Sequence, residues 1–130
     1  MLLTGCATTA IDPSRAAPVP SGHLLAFQEA TAERTATLVV TRDEGMIGMA
    51  CRVVLAIDGV PAGRFSTGET AMFRVAPGER VLRSGLDGAG LCAFGRDNWT
   101  QRETTLRPGE TKHFRISIDP DGKVEVQRGD

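Results

Sequence analysis

Few side chains in this chain of 130 residues could do chemistry: three cysteines at 6, 51 and 92, two histidines at 23 and 113, and one tryptophan at 99. Nucleophilic catalysis needs a Ser or Cys beside a His base that an acid orients. No Gly-x-Ser-x-Gly elbow is present, and His113 reads as an outward strand residue among charged neighbours. A zinc site draws on clustered Cys and His; there is no Cys-x-x-Cys, and both histidines lie far from any cysteine in sequence. Asp43-Glu44 and Asp119/Asp121 fall in turns, where Asp hydrogen-bonds the local backbone. Asp119-Pro120-Asp121 supplies too few oxygens for a calcium loop. The expectation is a protein with no catalytic residues, no metal and no cofactor. Trp99, beside Arg96 and Asp97 in a glycine-rich stretch, is the amphipathic aromatic suited to anchoring a partner. The plainer alternative is that it caps the core.

Leu3-Thr4-Gly5-Cys6 resembles the lipobox that ends a bacterial lipoprotein signal peptide. There a small residue permits cleavage and the cysteine thiol takes a diacylglycerol. A secretory signal also has a basic start and an apolar run of roughly 7–15 residues, of which Leu2 and Leu3 remain. Either the start lies upstream or the chain is shortened; a chance Gly-Cys at a cytosolic terminus is the alternative. No other stretch approaches the ~18 apolar residues of a membrane-spanning helix, so attachment to a bilayer would run through acylated Cys6. Ala7 rather than Asp follows that cysteine, and the resemblance then implies sorting to the outer membrane, facing the periplasm. With Cys6 consumed in an oxidising compartment, Cys51 and Cys92 remain as an even pair. Two reduced, buried thiols in a cytosolic protein are the competing reading.

The elements that must position these residues are strands. Val, Thr, Ile and Phe gather in short runs ended by Gly and Pro, and long 3.6-residue periodicity is missing. Fifteen basic and 16 acidic residues spread along the chain give a net charge of -1, without the basic stripe that nucleic-acid binding requires. The arginines read as solvated sheet positions. Residues 1–22 form the lipobox remnant and a flexible tether, small, polar and proline-bearing; residues 23–130 form one domain.

Leu24–Gln28 reads as a short strand and Thr37–Arg42 as a cleaner one. From Met49 to Asp58 the alternation places Met49, Cys51, Val53, Leu55 and Ile57 on one face, toward the core. Asp58-Gly59 is a type I′ hairpin pair, and Pro61 makes the return strand an edge. Ala71, Phe73 and Val75 share a face of the next strand. Pro77-Gly78-Glu79 and Pro108-Gly109-Glu110 are one turn solution used twice. Ser84–Asn98 reads as a long connection, functional or disordered. Phe114, Ile116 and Ile118 face inward on the strand after Pro108-Gly109, and Val124 and Val126 complete a last one. The count is seven or eight short strands with little helix: an all-β, small antiparallel β-sandwich, with an open β-barrel as the alternative.

Arg42-Asp43-x-Gly45 leading to Gly48 and Cys51, Asp58-Gly59 followed by Gly63, Gly68-Glu69, and Pro77-Gly78-Glu79 before Leu91-Cys92 resemble proteobacterial lipoproteins with PEGA-like or DUF2846-like β domains. The resemblance covers about Thr35 to Ile118 and rests mostly on turns. It implies a lipid-anchored envelope β-sandwich serving as a structural or protein-interaction module, with an envelope protein as partner and no catalytic residue to carry over. A periplasmic binder of a small ligand or partner enzyme through residues 84–99 is the alternative function.

Overall fold

The computed structural model describes residues 8–45, 50–87, 92 and 99–129. Among them the strands are β1 (Ala17–Pro18), β2 (Ala36–Arg42), β3 (Arg52–Ile57), β4 (Val60–Phe65), β5 (Glu69–Val75), β6 (Gly78–Asp87), β7 (Thr100–Leu106), β8 (Thr111–Ile118) and β9 (Val124–Arg128), with two short 3-10 turns before β2. They form two sheets, in the orders β1-β5-β2-β8-β9 and β4-β3-β6-β7. The fold is an all-β sandwich, not closed into a barrel. Its pairings are antiparallel except β1 with β5 and β2 with β8, which are parallel.

Alternation builds the core between the sheets. Leu38 and Val40 on β2, Val53, Leu55 and Ile57 on β3, Phe73 on β5 and Phe114 and Ile116 on β8 are fully or almost fully buried in one apolar cluster. Phe65 and Phe73 meet across the sheets with ring centroids 6.2 Å apart. At Asp58-Gly59 both residues take positive φ, 51° and 82°, as a type I′ hairpin demands. β4, which carries Pro61, is an edge strand.

Two turns between the sheets share one device. In Arg107-Pro-Gly-Glu110, the Glu110 carboxylate accepts the Arg107 N–H at 2.8 Å and the Glu110 N–H returns to the Arg107 carbonyl at 3.0 Å. Ser66-Thr-Gly-Glu69 repeats it, with Glu69 accepting the Ser66 N–H at 2.7 Å. Both turns carry the chain from one sheet to the other, and Gly68 and Gly109 supply the positive φ.

Two expectations need correcting. Leu24–Gln28 is not a strand: Leu24 makes a single bridge to Gly63, and Phe27 at φ 64° breaks the extended run. The segment instead covers two sheet edges, with Leu25 N–H donating to the Ala62 carbonyl of β4 and the Phe27 carbonyl accepting the Arg74 N–H of β5. Nor do the described residues before 23 form a free tether. Thr8 is buried, Thr9 exchanges two backbone bonds with Glu44, β1 adds to the edge of β5, and Val19 enters the core. Among the described residues, the packed domain reaches back to Thr8. A segment of low hydrophobicity docks here because its backbone finds a sheet edge, a gain that composition does not register.

Candidate functional site

One end of the sandwich gathers the residues of interest. β2, β6 and β8 end there, and β3, β7 and β9 begin there. Arg42 closes β2 in an inward position, in line with Leu38 and Val40, and is 2% exposed. Its Nη1 donates to the carbonyls of Cys51 at 2.7 Å and Phe65 at 2.8 Å, tying the last turn of one sheet to the opposite sheet. Burial pushes its guanidinium down to about 10, opposed by the charges of Glu69 and Asp43. The expectation of a solvated arginine fails for this residue; the Leu38, Val40, Arg42 alternation already pointed it inward.

Asp43, read from the sequence as a turn residue, is also buried, at 1%. Arg115 approaches it side-on, Nε donating to Oδ1 at 3.0 Å and Nη2 to Oδ2. The Thr8 hydroxyl donates to Oδ2 at 2.8 Å and accepts the Ile118 N–H at 3.1 Å. The Asp43 carbonyl takes the Gly68 N–H and the Thr67 hydroxyl. A buried carboxylate is tolerable only with such partners. The cluster locks the chain start, two strand ends and the β4–β5 turn together; it offers no open acid or base.

Cys51 and Cys92 are disulfide-bonded, with Cα atoms 5.5 Å apart. Cys51 immediately precedes β3 and is half-buried at the rim rather than in the core. Trp99 precedes β7 and lies on the outward face of its sheet, stacked on Gly85: a Cβ added to Gly85 would come within 2.2 Å of the indole. Gly85 pairs with outward-facing Val54. The Arg83 guanidinium lies 5.3 Å from the Trp99 ring centroid, and the Arg64–Asp87 ion pair at 2.8 Å stands on the same face. The tryptophan therefore does not cap the interior; the missing side chain of Gly85 makes its seat. Arg96, Asp97 and Cys6 lie outside the described residues, as does most of the 84–99 connection, whose first four residues extend β6.

Residues 9–16 form a strap over the outward face of the β1-containing sheet, where Pro13 and Ser14 face Val39 and Met72 across a groove, and His113 is half-buried on the same face of β8. Asp12 in that strap is held below the usual carboxylate range by the Ser14 hydroxyl and N–H, with help from the charges of Arg15 and His113. Among the described residues no three His, Cys, Asp or Glu side chains cluster to hold a metal ion. No described helix is long and apolar enough to cross a membrane. Between strap and sheet runs an apolar groove of about 520 Å³, lined by Pro13, Pro18, Leu24, Val39 and Met72 among others.

The chain matches no family model, no curated protein and no solved structure.

Proposed function

We propose that this protein is a lipid-anchored β-sandwich of the bacterial cell envelope, held through acylated Cys6 at the outer membrane and facing the periplasm, where it serves as a structural or protein-interaction module. The observation that carries the reading is the Cys51–Cys92 bridge, because structural disulfides form and persist in oxidising compartments. The lipobox-like Leu3-Thr4-Gly5-Cys6 supplies an export address of the same kind. The polar groups gathered at the sandwich end are turned on one another, which suits a module whose task is to be rigid. Fractionation tests this. Wild type is expected with the membranes and Cys6→Ser in the soluble fraction, the latter failing to be acylated; recovery of both from the cytosol with free thiols would contradict it.

A second reading, a binder of a small ligand or partner enzyme through the 84–99 region, draws support from Trp99 and Arg83, residue types that dominate binding hot spots, on an outward sheet face. Trp99→Ala would then abolish capture of an envelope partner in crosslinking while leaving the fold intact.

A further inference from the structure

We infer that the sandwich sits end-on against the bilayer, with Trp99 at headgroup level, so that the protein makes a second membrane contact besides its lipid. The inference rests on the lipid anchor proposed above. Its basis is the shortness of the connection. Cys6 and Thr8 are two residues apart, and two residues span at most about 7 Å. Thr8 has no slack to give: its hydroxyl is held by Asp43 and by the Ile118 N–H, and its neighbour Thr9 is paired with Glu44 in both directions. An acylated Cys6 therefore brings the end of the sandwich that carries Thr8 to within one or two side-chain lengths of the headgroups. A free 15-residue spacer would have allowed any orientation; a docked one does not.

The same end presents the residues a bilayer interface favours. Trp99 is the only tryptophan in the chain, and it is partly exposed on the outward face just before β7. Indole rings concentrate at the membrane–water boundary because one edge is polar and the body apolar. Arg83 lies over the ring, and exposed Arg52 begins β3 at the rim, opposite Asp87. Long arginine side chains lay their stems on apolar surface while the charged head reaches phosphate. Glu44, Asp119 and Asp121 lie at the rim of the other sheet, which the anchor holds at the bilayer through Thr8 and the Thr9–Glu44 pairing, and the Trp99 rim makes the second contact. The occupant of this surface is the phospholipid headgroup layer.

Because the chain has one tryptophan, its fluorescence reports this position alone. Acylated protein extracted from membranes is reconstituted into vesicles of phosphatidylethanolamine and phosphatidylglycerol containing a fraction of lipid brominated near the headgroup. Trp99 emission is expected to shift to the blue on reconstitution, to be quenched by the shallow bromolipid, and to lose most of its sensitivity to aqueous acrylamide. Emission and acrylamide quenching identical to those of soluble Cys6→Ser protein, with an acyl mass on the reconstituted chain, would overturn the end-on contact and leave the anchor standing. Absence of any acyl mass overturns the anchor itself, and this inference with it.

Discussion

Asp43 and Arg115, 72 positions apart in the chain, meet through two parallel hydrogen bonds at the sandwich end. β2 and β8 run parallel side by side, with Arg42 opposite Ile116, so the carboxylate just beyond β2 and the guanidinium on β8 share one outward row. Asp43 is almost fully buried, whereas the Arg115 side chain keeps 21% of its surface. The pair is therefore asymmetric: losing the arginine strands a buried charge, while losing the aspartate leaves a cation that can turn toward water.

Arg115→Ala is expected to destabilise the domain by about 3 kcal/mol, at the lower end of the range for breaking buried pairs because the arginine is partly solvated. The double variant Asp43→Ala/Arg115→Ala should cost less than the sum of the two single losses. Urea midpoints of the two variants and the double variant give the coupling energy directly; full additivity would refute the pairing.

Thr8→Val keeps the shape of the residue but removes the hydroxyl that serves both Asp43 and the Ile118 N–H. A loss of about 2 kcal/mol is expected from the buried groups left unpaired, together with faster hydrogen exchange at the Ile118 amide. An unchanged Ile118 exchange rate would mean that the chain start does not dock.

Reduction of Cys51–Cys92 opens a loop with a sequence separation of 41, worth about 4 kcal/mol if the cross-link acts by restricting the unfolded chain. The apolar cluster contains neither cysteine, so the reduced protein should remain folded in buffer with a lower denaturation midpoint. Midpoints that coincide with and without reductant would contradict this.

Gly85→Ala should unseat the indole, since the new methyl would overlap the Trp99 ring. A red shift of the emission is the expected signature, with the apolar core unaffected. An unchanged spectrum would place Trp99 elsewhere.

Glu110 is held below its ordinary range chiefly by the Arg107 N–H that its carboxylate accepts. A carboxylate with a lowered folded-state value contributes stability above its unfolded value and loses it as pH falls through the lowered one. Wild type should exceed Glu110→Gln in stability at neutral pH, and the gap should close under acid. A gap independent of pH would show that the turn does not depend on the charge.

Alternation made the sandwich readable. Val53, Leu55 and Ile57, Phe114 and Ile116, and the Asp58-Gly59 pair each announced their conformation locally, and parity of the cysteines gave the bridge once Cys6 was set aside. Arg42 carried the same signal, yet its charge suggested solvent; what permits its burial is two carbonyls supplied by Cys51 and Phe65, which no pattern near residue 42 reveals. Asp43 misled in the same way, because its partners Arg115 and Thr8 come from the far ends of the chain. Thr8 to Val19 looked unfoldable by composition, and only the vacant edge of β5 gives it a place. The seat of Trp99 depended on an absent side chain at Gly85, recognisable only once β6 and β7 are in register.

The measurement that bears most directly on the account is the intact mass of the protein from membranes of its native host, with and without thiol reduction. The account predicts a chain beginning at Cys6, carrying acyl chains, and gaining two hydrogens on reduction as Cys51 and Cys92 separate. An unmodified chain that begins at Met1 and holds three free thiols would contradict the envelope address, the bridge and the bilayer contact together.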